Sequence, residues 1–574
     1  MRNKPQRRAG ENGITAFLYI LALVFIIIPM LGLAIDVGFL YAVRSKMQAA
    51  VDGAALAAAR ALSIGQSLDS QKASAKSNAV TWFNANFPSN YFGVASVSMD
   101  TSDSHVNVYT DTTNTQLRHV QVTAQAVVNT IFMRWFGKNS VTVGASGNAS
   151  RRTVVAMLVL DRSGSMCQPN SGSCDENNST LPCASLVKAS KLFTGQFAAT
   201  SDYIGMLSFA DNVYIHSLPT TDFQTKLGYT NSSGTGNGEL DTLTCFGKTG
   251  TAQAISMAYQ AIEQVNLPGA LNVIVLETDG MPNSLVLSFW DSTNAVAGLT
   301  KTGTSASACT DTAGKTAKGG GFNKTSVLPA WAGSMSLISS PFSTYHGTGV
   351  PYGSLTNYMI GGVFSDDPGD GTNFYFLGNY FTSSRTYSGG KYGYNVFSYV
   401  GSSSASGCGW GSGKTTTNPT DFAWFPATDV YGNSLNPSYG YQTVSTDGSG
   451  HISLPSGTSQ PWSNYHKAVL NATENAAYQA RTNTTIPVTF VVVGLGGNGA
   501  IDPVLLQRIA NDPSGDMFNS PAAYDDCSSE SDCKTWTTGS DGTNPQGVFV
   551  YSSGASNLGP AFLRVSSQVL RLSQ

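Results

Sequence analysis

Val154-Val155-Ala156-Met157-Leu158-Val159-Leu160-Asp161-Arg162-Ser163-Gly164-Ser165-Met166 decides how this chain of 574 residues is read. Its first seven residues are apolar and rich in β-branched side chains, the pattern of a strand buried on both faces of a parallel sheet. The run then stops on a carboxylate, Asp161, with hydroxyls two and four residues later at Ser163 and Ser165. Three hard oxygen donors in one short loop suit a small divalent cation such as Mg²⁺.

An α/β rhythm surrounds this strand. Residues 188–199 and 251–265 read as helices, and 203–209 and 271–276 as strands. Strands alternating with helices indicate an α/β fold with a doubly wound, mainly parallel sheet. The rhythm fails over 283–464, a Gly-, Ser- and aromatic-rich stretch far too long for a plain loop. It returns with helices at 467–481 and 503–510, a strand at 486–493, an edge strand at 547–551 and a closing helix whose apolar face carries Phe562, Val565, Val569 and Leu570. The domain is therefore expected in two parts, 153–282 and 465–574, around a large insertion at 283–464. Within that insertion Trp410, Phe422, Trp424 and Phe425 read either as a private core or as a recognition surface for protein or glycan.

The Asp161-Arg162-Ser163-Gly164-Ser165 loop resembles the metal-ion-dependent adhesion site (MIDAS) of von Willebrand factor type A (vWA) domains. Thr278-Asp279-Gly280, at a second strand end, resembles that family's T-D-G motif. Gly247-Lys248-Thr249-Gly250-Thr251 resembles its threonine loop, with Thr249 rather than Thr251 at the metal position. The resemblance implies that Ser163, Ser165 and Thr249 supply hydroxyl ligands, and that Asp161 and Asp279 bind directly or through water. It also implies a Mg²⁺ ion (Mn²⁺ or Ca²⁺ as substitutes) whose remaining position a protein partner's carboxylate fills. The alternative reading is a structural envelope protein with a metal-independent vWA scaffold.

At the other end, Arg2, Lys4, Arg7 and Arg8 precede an uncharged, mostly apolar stretch over 13–35 that Asp36 closes. About 20 such residues span a bilayer core of roughly 30 Å. The stretch is longer than the apolar part of a cleaved signal and runs on into a helix, so an anchor is the expectation. Basic residues on its N-terminal side place that end in the cytoplasm and the bulk of the chain in the periplasm or at the cell surface of a bacterial inner-membrane, single-pass protein. Asp36-Val37-Gly38 and the Ala-rich 48–59 resemble the N-terminal segment of TadE/TadG-like Flp pilus-assembly proteins. This implies pilus assembly or adhesion, with other pilus-assembly components as partners. The five residues after Gly13 include no glutamate, which argues against processing as a prepilin. The organisation so read is a basic tail, transmembrane helix and Ala-rich stalk (1–62), a β-containing spacer (63–150), and the split vWA domain. The spacer is inferred from period-two patterning at His105-Val106-Asn107-Val108-Tyr109 and His119-Val120-Gln121-Val122-Thr123.

Net charge is −3, which gives no footprint for nucleic acid. Eight cysteines without a C-x-x-C pair favour disulfides over zinc outside the cytoplasm. Cys527 and Cys533 are close enough to clip a small loop, and Cys183 with Cys245 is the preferred pair among the rest. Other motifs fail on inspection. Gly494-Leu495-Gly496-Gly497-Asn498-Gly499 fits a dinucleotide loop but opens no long βαβ unit. Gly247-Lys248-Thr249 ends like a phosphate loop, yet Thr242 occupies the place of its first glycine. Asp366-Asp367-Pro368-Gly369-Asp370-Gly371 starts like a calcium loop but has Leu377 where glutamate is required. No nucleophile elbow, zinc-protease helix or redox pair is present, and the six scattered histidines read as structural or solvated. A binding protein, not an enzyme, is expected.

Overall fold

The computed structural model describes residues 11–62, 68–170, 173–175, 177–178, 180–199, 201–210, 213–228, 238–288, 361–366, 374–378, 394–395, 415–416, 424–429, 431–438, 440–448, 450–453, 461–496, 501–512 and 545–573. The chain divides into two compact units, Met1–Arg152 and Thr153–Ser573.

In the first unit α1 (Glu11–Ala22) continues through one π-helical turn (Leu23–Ile27) into α2 (Ile28–Ala61). Thr15–Ala61 is long and apolar enough to cross a membrane. From Phe17 to Val37 its large apolar side chains are exposed. Beyond that point the helix turns one face into a core: Val43, Met47, Ala50, Val51, Ala54 and Ala58 are buried. They pack with Ala75, Ala79 and Phe83 of α3 (Leu68–Asn86) and with an antiparallel sheet. That sheet holds β1 (Val94–Ser98), β2 (Val106–Thr110), β3 (Leu117–Asn129) and β4 (Ser140–Arg152). β1 and β2 share one edge of the long β3, end to end, and β4 takes the other. Burial alternates along β3 at Val120, Val122, Ala124, Ala126 and Val128, the period-two signal of a one-faced sheet. Small side chains let the helix approach closely. A Cβ at Gly147 would lie 2.7 Å from Asp52 Oδ1, and Gln48 Nε2 donates to the Ser146 carbonyl at 2.8 Å.

The second unit is built on β5 (Val154–Asp161), all eight residues of which are buried. It continues with β6 (Cys174–Asp175), α4 (Pro182–Thr194), β7 (Tyr203–Phe209), β8 (Val213–Thr220) and α5 (Phe223–Lys226). Next come β9 (Thr244–Cys245), α6 (Thr251–Val265), β10 (Leu271–Thr278) and β11 (Ser284–Ser288). The described parts of 283–464 add β12 (Gly361–Asp366), β13 (Phe374–Gly378), β14 (Tyr394–Asn395), β15 (Thr415–Thr416), β16 (Trp424–Phe425) and β17 (Ile452–Ser453). The chain then forms α7 (Pro461–Thr482), β18 (Val488–Leu495), α8 (Pro503–Ala510), β19 (Val548–Ser552) and α9 (Leu558–Leu572).

The main sheet has the order β14-β8-β7-β5-β10-β18-β19. β7, β5, β10, β18 and β19 run parallel, while at one edge β8 pairs antiparallel to β7 and β14 antiparallel to β8. Alternate residues of β5 feed two cores. Val155, Met157 and Val159 meet α6, α7 and α8 on one face. Val154, Ala156, Leu158 and Leu160 meet α4 and α9 on the other. The result is a mixed sheet with helices on both faces. β11, β12, β13 and β15 form a separate antiparallel sheet. Phe425 of β16 is fully buried with its ring 5.1 Å from that of Tyr465 on α7, so it packs on the main unit. Trp410 and Phe422 lie outside the described residues.

Among the described residues two disulfides, Cys167–Cys174 and Cys183–Cys245, staple the loops beside β5. The second is the pair expected from sequence. Cys309, Cys408, Cys527 and Cys533 lie outside the described residues, as do Asp367 to Gly371 and Gly497 to Gly499.

Candidate metal centre

β5 and β10 are adjacent and parallel, with Leu160 level with Glu277, so both strands deliver acids to the same sheet end. From β5 the chain crosses to β7 on one side, and β10 lies on the other, which makes this the switch point where ligands bind in open α/β sheets.

Asp161, wholly buried, accepts the Ser163 amide on Oδ1 at 2.7 Å and the Thr278 hydroxyl on Oδ2 at 2.5 Å. The first bond folds the loop back over its own strand end. The second ties the ends of β5 and β10 together. Ser163 Oγ and Ser165 Oγ are 2.8 Å apart, and Ser165 Oγ donates to Asp279 Oδ1 at 2.5 Å. Thr249 arrives on its own loop, whose Gly247 carbonyl accepts the Gly164 amide at 2.9 Å. Ser165 Oγ and Thr249 Oγ1 both lie 3.5 Å from the point a Cβ would take at Gly280. Gly280 therefore leaves the space between these hydroxyls open. The structure thus brings Asp161, Ser163, Ser165, Thr249 and Asp279 together in one cluster.

Sequence reasoning missed three supporting residues. Thr278 positions Asp161 as described. Asn283 clamps the threonine loop: its Oδ1 accepts the Thr249 amide at 2.7 Å and its amide donates to the Thr249 carbonyl at 2.9 Å. Glu277 adds a third buried acid. Among the described residues, neither of its oxygens is paired with a side chain. Burial and the nearby Asp161 and Asp279 push its carboxyl well above the ordinary range. Asp161 is also raised, by burial, against the bonds from Ser163 and Thr278. Only the T-D-G pattern hinted at Thr278, and Asn283 carried no signal beyond standing at the start of the 283–464 stretch.

The donor set fits a hard divalent cation. Three hydroxyls and two carboxylates, all oxygen, converge where a third acid is buried behind them. At an effective dielectric of about 20, two like charges about 4 Å apart repel by roughly 4 kcal/mol. Such a cluster calls for a proton or a cation. The adjacent Arg162 sets its guanidinium 5.0 Å from the Phe246 ring centre and 6.0 Å from that of Tyr214, and its charge works against the upward push of burial on Asp161. On β8, His216 is buried between Ser208 Oγ at 2.7 Å and Glu239 Oε2 at 3.4 Å, and burial pushes its pKa down.

Residues 13–61 match the family model "Putative Flp pilus-assembly TadE/G-like", and residues 156–281 match that of the von Willebrand factor type A domain. No curated protein matches the chain. Among solved structures, the PilB minor pilin of Streptococcus sanguinis is similar at 10% identity and TM-score 0.29, over 82% of this chain and 79% of that one. The vWF domain of the type V pili tip protein Mfa5 from Porphyromonas gingivalis is similar at 14% identity and TM-score 0.30, over 74% and 98%. The pilus adhesin SpaC from Lactobacillus rhamnosus GG is similar at 11% identity and TM-score 0.29, over 82% and 34%.

Proposed function

We propose that this chain, with its TadE/G-like segment and its vWA domain, is a non-enzymatic, membrane-anchored protein that binds a protein partner through a divalent cation. Its setting is the assembly or anchoring of a Tad/Flp-type pilus, or adhesion. The apolar helix fits a single-pass anchor. In this reading the basic N-terminus lies in the cytoplasm and the vWA unit in the periplasm or at the cell surface, where disulfides persist. The single observation that carries the proposal is the convergence of Ser163, Ser165 and Asp279 oxygens with Thr249 at the ends of β5 and β10.

Asp161, Ser163, Ser165, Thr249 and Asp279 would hold Mg²⁺, with Mn²⁺ or Ca²⁺ as substitutes. The bound ion supplies a Lewis-acidic position for a carboxylate from the partner. Thr278 and Asn283 keep the ligands in place. The split vWA domain, 153–282 and 465–574 around the 283–464 insertion, puts the start of that insertion next to the ion site, so it contributes to partner choice.

One observation favours a second reading. Hydrogen bonds link Ser163 Oγ to Ser165 Oγ and Ser165 Oγ to Asp279 Oδ1, a linkage that a metal-independent structural scaffold would use. Thermal unfolding of the full chain in detergent with added Mg²⁺ or Mn²⁺ separates the two. The metal reading expects a rise in Tm that Asp161→Ala abolishes. Equal Tm with cation and with EDTA favours the scaffold.

A further inference from the structure

The turn between β3 and β4 carries an exposed apolar patch. Trp135 is 85% exposed and Phe136 67% exposed, with Ile131 beside them. Exposed aromatics of this size are costly in water and mark contact surfaces. The turn is also fixed in place. The amide of Ile131 donates to Asp36 Oδ1 at 2.9 Å, and those of Phe132 and Met133 donate to Asp36 Oδ2 at 2.8 and 2.6 Å. Asp36 is only 2% exposed, covered by this turn.

One helical turn earlier, the Phe132 ring lies on Gly32: a Cβ there would come within 2.6 Å of it. Gly32 and Asp36 stand four residues apart on one face of α2, and both are buried under the turn. Their neighbours Met30, Leu31, Leu33 and Ile35 are exposed. The turn therefore overlaps the last helical turn of the apolar stretch. It reaches the level where a bilayer crossed by that stretch has its outer interface.

We infer that residues 131–138 form a membrane-seated foot, held on Asp36, that rests in the headgroup zone of the bilayer crossed by α1 and α2. This rests on the anchor reading above. Trp and Phe at that level occupy the zone where amphipathic and aromatic rings collect. Arg134 and Lys138 flank the rings, both exposed, and suit lipid phosphates by charge. The carboxylate gains as well. An aspartate at the mouth of a membrane span is expensive unless paired, and three amides answer it. Phe92, exposed and 6.1 Å from the Phe39 ring one turn above Asp36, extends the same rim. Continuity with the span and the basic flank favour lipid over a protein partner.

The test uses the full chain reconstituted into phosphatidylcholine vesicles that contain lipid brominated high on the acyl chain. Vesicle flotation reports the anchor, and tryptophan quenching reports the foot. Wild type, Trp135→Phe and Asp36→Asn should all float. Trp135→Phe should lose most of the bromolipid quenching. Asp36→Asn should reduce it and speed hydrogen exchange at the 131–133 amides. Flotation with equal quenching in wild type and Trp135→Phe overturns the foot and leaves the anchor standing. Failure of the wild type to float overturns the anchor, and the foot with it.

Discussion

Asp161 depends on Thr278 across a sequence separation of 117 residues. Thr278→Val keeps the shape and removes that donor, leaving a buried carboxylate oxygen short of a partner. The expected loss is roughly 1–3 kcal/mol of unfolding free energy, measured by urea denaturation without added cation. A second residue gives a pH signature. Asp429, buried and bonded to the amides of Tyr431 and Asn433 at 2.9 and 2.8 Å, has its pKa raised by burial from 3.8 to about 7. In that interval the folded state keeps a proton the unfolded state has lost, so this group's contribution falls as pH rises from 3.8 to about 7. Asp429→Asn should flatten that part of the Tm–pH profile; an unchanged slope contradicts the assignment. The five proposed ligands were legible because each sits in a short motif, four of them at the ends of β5 and β10 and Thr249 in the loop before α6. Glu277 and Asn283 were not, since their roles arise only when strands distant in sequence lie side by side.

Among the elements, α6 and α8 match the expected 251–265 and 503–510 because an apolar stripe and, for α8, a proline start and an Asp502 cap mark their limits. α4 departs from the expected 188–199. It begins at Pro182, whose ring is preset for a first helical turn, and ends at Thr194 before Gly195. α3 was invisible among the alternating segments, because its buried face is Gln71, Ala75, Ala79 and Phe83, three of them small or polar. β8 hid behind His216, Ser217 and Pro219, side chains that an antiparallel edge tolerates. At this scale the Cys183–Cys245 bridge ties the start of α4 to β9 and closes a loop with a sequence separation of 62. On chain-entropy grounds its removal by Cys183→Ser with Cys245→Ser should cost roughly 4 kcal/mol. Calorimetry in non-reducing buffer checks this, and an unchanged Tm contradicts it.

For the whole molecule, the sequence conveyed a mixed α/β unit behind an apolar helix, since both rest on long periodic signals. It did not convey that the Ala-rich half of α2 belongs to a folded core, because alanine gives helix propensity without a strong apolar stripe. The proposed topology puts the second unit outside the inner membrane: protease added to spheroplasts should digest it, and full protection reverses the orientation. The central claim is that the ends of β5 and β10 hold a divalent cation. Calorimetric titration of Mg²⁺ into the full chain in detergent, wild type against Asp279→Ala, tests it most directly. The account expects saturable binding by the wild type and none by the variant; indistinguishable heats from the two proteins would contradict it.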